Sequence, residues 1–194
     1  MLDTPFNRTT DGDAYIDNLR TIIRPVANPT YTTDVFWHHI DSYLQETGED
    51  TGGLQLCPDF QRGHVWTESQ QLLFIENVIR GLIDQSLLTL KFNCANWNTT
   101  NKGDLPDGIV CVDGLQRLTA IQRCMSGEIR PFGYHIDQFN NTPFSCKLKY
   151  RFTISIYNFS HKKDLLQFYL DLNAGGTPHS DGELQRVRSM IQGE

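Results

Sequence analysis

The sequence predicts a mixed α/β domain, a small mixed sheet with several packed helices. Three observations carry that reading. Ile109 to Val112 is an unbroken apolar run, as in a strand buried on both faces, and Asp113-Gly114 turns it directly into a helical pattern. Lys149 to Tyr157 alternates cleanly, with Tyr150, Phe152, Ile154 and Ile156 on one side and Arg151, Thr153 and Ser155 on the other. Apolar stripes at spacings of three and four follow two capping-box patterns, Thr67 with Gln70 and Ser180 with Glu183. Strands interleaved with amphipathic helices bury both partners in layers.

The elements follow in order. Residues 1–32 read as an N-terminal arm packed on the domain, with the 20–25 segment (RTIIRP) as a short strand or helix edge. From Thr33 to about Glu46, Val35, Phe36, Ile40, Tyr43 and Leu44 recur at helical spacing, with Thr32, Thr33 or Asp34 as N-cap. Residues 47–53 read as a flexible loop. Leu54 to Cys57 form a brief strand ended by Pro58. The loop 58–66 (PDFQRGHVW) then leads to a helix with Leu72, Ile75, Ile79 and Leu82 facing inward and Gly81 closing it. Leu87 to Phe92 alternates as a strand, and 93–108 is a polar loop. The strand–turn–helix places Leu115, Leu118, Ile121, Cys124 and Met125 on one stripe, with Gly127 as a stop. After an irregular stretch, 131–146, and the strand ending at Tyr157, Ser160 caps a helix carrying Leu165, Phe168, Tyr169 and Leu172. A tight turn at Asn173, Gly175 and Gly176 precedes the last helix, whose inner face is Leu184, Val187 and Ile191. Residues 33–194 make one domain in this reading.

Composition narrows the function classes. A net charge of −6 argues against a protein that coats nucleic acid through bulk charge. The stretch 147–163 nevertheless holds Lys147, Lys149, Arg151, Lys162 and Lys163 and no acid, a candidate contact for DNA and equally an ordinary solvated face. No apolar run is long enough for a membrane span, and the polar N-terminus is no signal peptide. Five scattered cysteines without a CxxC pair read as reduced thiols, which points to a cytoplasmic protein without a zinc framework.

The candidate site is the corner 113–117, where Asp113, Gly114, Gln116 and Arg117 stand between strand and helix. A strand feeding a helix aims backbone N–H groups and the positive helix end at one point, a place for an anion such as phosphate. The alternative is plain capping, with Asp113 and Gln116 forming a box and Arg117 solvated. In the 58–66 loop, Arg62 lies between Phe60 and Trp66 and is either rigidly aimed or simply stacked on tryptophan.

Three segments together resemble one family. The 58–66 loop resembles its opening aromatic-Gln-Arg motif followed by Trp, residues 112–121 (VDGLQRLTAI) its hallmark Asp-Gly-Gln-Gln-Arg, and residues 172–184 (LNAGGTPHSDGEL) its closing Asn-x-Gly-Gly-Thr-Pro. The family is the domain of unknown function 262, related to the ParB/sulfiredoxin-like fold and found at the front of modification-dependent restriction enzymes. The resemblance spans roughly residues 35–192. It implies nucleotide binding, often with NTP hydrolysis that gates DNA restriction or phage defence. Carried over by position, the implied phosphate-binding residues are Gln61, Arg62, Gly114, Arg117, Asn173, Gly175 and Gly176, with Asp113, Gln116 and Arg117 catalytic. Leu115 departs from the family's Gln, which weakens hydrolysis more than binding. No His-Asn-His nuclease cluster is evident, so cutting DNA requires a partner, such as a nuclease or a larger family member, or an unrecognised site.

On this basis Arg62 and Arg117 are expected to clamp phosphate oxygens, Mg²⁺ to bridge Asp113 and the nucleotide, and Gln116 to orient the attacking water. Asn173 is expected to hold sugar or phosphate. Two other readings stand beside this one: a non-hydrolysing regulatory module that mimics or blocks a larger relative, and a ParB-like DNA nickase using 147–163.

Overall fold

The computed structural model describes residues 11–61, 65–145, 149–173 and 181–192. The sheet has five strands: β1 (Tyr31–Phe36), β2 (Leu54–Gln55), β3 (Thr89–Cys94), β4 (Ile109–Asp113) and β5 (Arg151–Tyr157). Their order is β1-β5-β3-β4-β2. β1 runs antiparallel to β5 and β3 antiparallel to β4, whereas β3 with β5 and β2 with β4 are parallel. The helices are α1 (Asp11–Ile23), α2 (Ile40–Thr51), α3 (Glu68–Ile79), α4 (Leu115–Met125), α5 (Lys162–Asn173) and α6 (Asp181–Gln192). The predicted mixed α/β class is what the chain adopts.

The apolar run at β4 explains the layering. Ile109 and Cys111 join the larger core, with Leu44 of α2, Ile75 of α3, and Leu118 and Ile121 of α4. Val110 and Val112 point the other way, into a second core with Leu165, Phe168 and Tyr169 of α5 and Val187 of α6. The strand is therefore covered on both faces, as its sequence requires. Each fully buried Ile, Leu or Phe contributes about 1.5–3 kcal/mol, which fixes the sheet between its two helical layers. On β5, Phe152, Ile154 and Ile156 are fully buried, as the alternation predicts.

Four expectations change. The predicted helix from Thr33 begins as strand β1: the β-branched residues Thr32, Thr33 and Val35 pair with β5, and the Asp34 carboxylate accepts the Thr153 hydroxyl at 2.7 Å instead of capping a helix. Helix α2 then starts at Ile40 and runs through the predicted loop to Thr51. The Thr47 and Thr51 hydroxyls donate to carbonyls four residues back, and Gly48 lies so close to Leu54 that a Cβ would approach its Cβ to 2.9 Å. The predicted arm contains helix α1, and among its described side chains those from 13 to 26 are exposed except for half-buried Leu19, so this part of it is not packed on the domain. Finally, the inner face of α3 is Gln71, Phe74, Ile75, Val78 and Ile79, while Leu82 lies outside the helix and is 65% exposed. Apolar counting missed the rotation because a buried glutamine occupies one core position.

Smaller differences follow the same logic. The predicted loop 93–108 opens with Asn93, Cys94 and Ala95 buried; the Asn93 side chain bonds both the N–H and the carbonyl of Phe159. From the same loop, Asp104 accepts the Lys162 N–H at 2.8 Å at the start of α5, where Ser160 was the predicted cap. The Ser180/Glu183 capping box lies outside the described side chains.

Candidate functional site

Gly114 makes the corner between β4 and α4. It is the N-cap of α4 with φ +103°, and no side chain caps the helix. A Cβ there would meet Leu90 Cδ2 at 2.6 Å and the Thr89 carbonyl oxygen at 2.9 Å. Glycine is required by both its dihedral and the close approach of β3. Its missing Cβ thus faces the sheet.

Without a cap to form, the polar side chains of the corner turn to other partners. Asp113 Oδ2 accepts from Arg117 Nη2 at 3.0 Å. Arg117 Nη1 lies 3.4 Å from the Leu87 carbonyl, and its Nε is buried without a hydrogen-bond partner among the described residues. Gln116 Oε1 accepts from the backbone N–H groups of Val65 and Trp66, at 2.9 and 3.0 Å. The predicted capping alternative, Asp113 with Gln116, is therefore not what the two side chains do.

The 65–67 segment is held from a second side. Gln71, only 2% exposed, donates to the Trp66 carbonyl at 3.0 Å and accepts from Arg123 Nη1 at 2.8 Å. Arg123 is in turn fixed by Glu68 and Glu128, whose carboxylates raise its pKa. Trp66 is thus pinned at both backbone groups by side chains from two helices. This framework was not legible beforehand: Gln71 sits beside the cap residue Gln70 and looks like surface.

Between these elements lies a cleft of about 430 Å³. Its polar lining includes Gln61, Asp113, Gln116, Arg117 and Asn173, with Gly114 beside them; aromatic and aliphatic lining comes from Trp66, Phe74, Ile83 and Tyr169. Three distant segments of sequence meet here. Arg62, Gly175 and Gly176, also predicted for the site, lie outside the described residues. Tyr169 and Asn173 share one face of α5, one turn apart, and Asn173 Nδ2 donates to the Tyr169 carbonyl at 2.7 Å. That spacing would have paired Tyr169 with Asn173 from sequence alone. Among the described residues Gln61 Oε1 is buried without a hydrogen-bond partner, like Arg117 Nε. Orphaned buried polar atoms are uncommon and call for an explanation.

Behind the cleft, burial pushes the Cys111 thiol up to about 12, with the nearby Asp113 carboxylate adding to the shift. It is therefore a neutral core group and no nucleophile. Burial and the same carboxylate also raise Tyr157. Among the described residues no three His, Cys, Asp or Glu side chains cluster as a metal site. A lone carboxylate suits Mg²⁺ only when substrate phosphates and water complete its shell.

Residues 44–153 match the family described as the GmrSD restriction endonuclease, N-terminal domain. The match covers more than half of the chain. The chain belongs to this family. No curated protein and no solved structure matches it. The GmrSD N-terminal match makes this a restriction-enzyme-related domain. It contains Gln61, the corner 113–117 and the residues that pin Trp66, and it leaves out Asn173 on α5.

The basic stretch stands apart from the cleft residues. Among its described members, Lys162 Nζ pairs with Asp59 at 2.9 Å, Arg151 lies over the Phe36 ring and 3.9 Å from Asp34, and Lys149 lies over the Tyr150 ring. Among the described residues no helix is long and apolar enough to cross a membrane.

Proposed function

We propose that this GmrSD-type domain binds a nucleoside triphosphate in the cleft at the start of α4 and hydrolyses it with Mg²⁺, as the nucleotide-responsive part of a cytoplasmic DNA restriction or phage-defence system or of its counteraction. The observation that carries this reading is the convergence of Gln61, Asp113, Arg117 and Asn173 on one cleft in which two buried polar atoms lack partners among the described residues. We further assign the domain to the 262 family and its ParB/sulfiredoxin-like fold, on the three motifs.

In this reading the triphosphate lies at the start of α4, where Arg117 and the N-terminal end of the helix favour negative charge. Asp113 holds the Arg117 guanidinium in place and is the carboxylate to which a nucleotide-bound Mg²⁺ would attach; the ion supplies charge neutralisation at the phosphates. Gln61 and Asn173 offer neutral hydrogen bonds to phosphate or sugar. The aromatic walls take the rest of the nucleotide. Gln116 keeps the 65–66 backbone fixed, and with it the segment that follows Arg62; Arg62, Gly175 and Gly176 complete the phosphate clamp.

Calorimetry with Mg²⁺ and each nucleoside triphosphate, together with phosphate release, tests this. Arg117→Ala should weaken binding by about 1.5–3 kcal/mol, the range for hydrogen bonds to charged groups, and abolish release. Equal binding and release by folded wild type and variant would remove the cleft from consideration.

One observation favours a second reading, a binding module without turnover. Gln116 Oε1 is engaged by two backbone N–H groups, and Leu115, where the family places a Gln, is only 4% exposed. Neither residue then stands ready to orient water. Tight binding with no phosphate release would decide for that module. Metal-dependent plasmid nicking that survives Arg117→Ala would instead support a nickase acting through 147–163.

A further inference from the structure

Helix α1 carries an apolar stripe that the rest of the fold leaves open. Ile16, Leu19 and Ile23 follow one another at spacings of three and four, with Ile22 alongside. That is the seam pattern of a two-helix contact. Ile16 is 46% exposed, Ile22 68% and Ile23 65%. A solvated helix of thirteen residues with such a stripe is marginal alone, because an isolated helix of this length gains little from its own hydrogen bonds.

The charges on the helix say what covers it. Asp11, Asp13 and Asp17 occupy its first half, Arg20 its last turn, and Arg24 follows the helix directly with φ +48°. We infer that α1 is a self-association surface, taking α1 of a second copy of this chain in antiparallel orientation about a two-fold axis. An axis crossing between Asn18 and Leu19 sets Asp17 level with the second copy's Arg20 and Asp13 level with the end of that helix, which Arg24 follows. The same register brings Ile16, Leu19 and Ile22 of the two copies to the centre. A parallel pair would set acid against acid and base against base, so charge selects the antiparallel one. A two-fold contact of this kind is self-complementary and closed, which limits assembly to a dimer. Arg20 Nη1 now pairs with Asp17 of its own helix at 3.2 Å, with both side chains about 70% exposed. A pair so solvated contributes little and exchanges partners readily. The acid-first, base-last order also suits the helix's own dipole, so the test must separate pairing from intrahelical stabilisation.

Charge reversal does that. The full chain is followed by analytical ultracentrifugation over roughly 1 µM to 1 mM, the range in which a small helix-pair contact associates. Wild type should rise from 22.2 kDa toward twice that mass. An acidic variant (Arg20→Asp with Arg24→Asp) and a basic variant (Asp13→Arg with Asp17→Arg) should each stay monomeric across the range. Mixed in equal amounts they should associate again, and the fourfold variant with both pairs reversed should associate by itself. Far-UV circular dichroism of each variant checks that the domain stays folded. The fourfold variant keeps the test valid if either double variant loses α1. A monomeric wild type overturns the inference. So does association that ignores the charge reversals, or a mixture that remains monomeric.

Discussion

Helices α3 and α4 pack side by side, and both begin with a polar residue followed three positions later by glutamine. Their starts are nevertheless built differently. At α3 the Thr67 hydroxyl accepts the Gln70 N–H at 3.3 Å and Gln70 Oε1 accepts the Thr67 N–H at 2.8 Å, a closed reciprocal cap. At α4 the glycine takes the cap position, Asp113 turns to Arg117, and Gln116 turns away to the backbone of Val65 and Trp66. The α3 start satisfies itself. The α4 start leaves its side chains to hold a cleft together. The same pattern of residue types therefore serves stability in one helix and site geometry in the other, and the residue that separates them is Gly114.

Gly114→Ala breaks the comparison most severely. Alanine at φ +103° costs about 1–2 kcal/mol in backbone strain. Its methyl group would also press on Leu90 and the Thr89 carbonyl, adding about 1–3 kcal/mol as overpacking. Chemical denaturation should show a loss of about 2–5 kcal/mol. A loss under about 0.5 kcal/mol would mean that the corner does not need glycine.

The contrast also marks what the sequence could disclose. Thr67 with Gln70, the doubly buried β4 and the alternation in β5 each rest on local rules, and each is found as read. The corner 113–117 was legible as special because a glycine interrupts an otherwise continuous strand-to-helix transition. Its internal wiring was not, because Asp113–Gln116 fits a capping box equally well and only the position of the 65–66 backbone decides. The strand β1 was hidden for a related reason. Val35, Phe36 and Ile40 fit a helical stripe, and the pairing with β5 that overrides it lies more than a hundred residues away. Gln71 and Arg123, which pin Trp66, carry no local signal, since a buried polar residue is recognisable only by its partners.

Two amide and hydroxyl deletions sharpen the distinction at smaller cost. Gln116→Ala removes the acceptor of two backbone N–H groups and should lower stability by about 1–3 kcal/mol, two modest hydrogen bonds. Its specific mark is elsewhere. Trp66 lines the cleft, so its fluorescence should shift on Gln116→Ala even where the protein remains fully folded. Unchanged emission would mean that Gln71 alone holds the loop. Thr67→Ala removes the α3 cap and should cost about 1 kcal/mol, as deleted N-caps do. Because that cap is self-contained, nucleotide binding to the Thr67→Ala variant should match wild type. A binding defect there would show that the two helix starts are coupled.

The smallest effect on stability, and the most telling, belongs to Asp113→Asn. Asparagine caps helices as well as aspartate does, so if Asp113 served as a cap the exchange would be silent in every assay. The structure gives it another duty. Its carboxylate faces Arg117 at 3.0 Å with 40% of its own side chain exposed, and an ion pair this open stabilises by about 0–1 kcal/mol. Denaturation should therefore register only a few tenths of a kcal/mol. Binding should respond in a way that depends on charge. Without the carboxylate the guanidinium is no longer neutralised, and a bare anion such as pyrophosphate should bind more tightly to the variant. In the proposed nucleotide reading the Mg²⁺-loaded triphosphate should bind less tightly, because its cation loses the carboxylate of Asp113, the one acid among the described cleft residues. Opposite shifts for the metal-free and metal-loaded ligands would separate an Asp113 that orients arginine and meets a cation from one that merely ends a strand. Parallel shifts, or none, would return the α4 corner to the same class as the cap of α3.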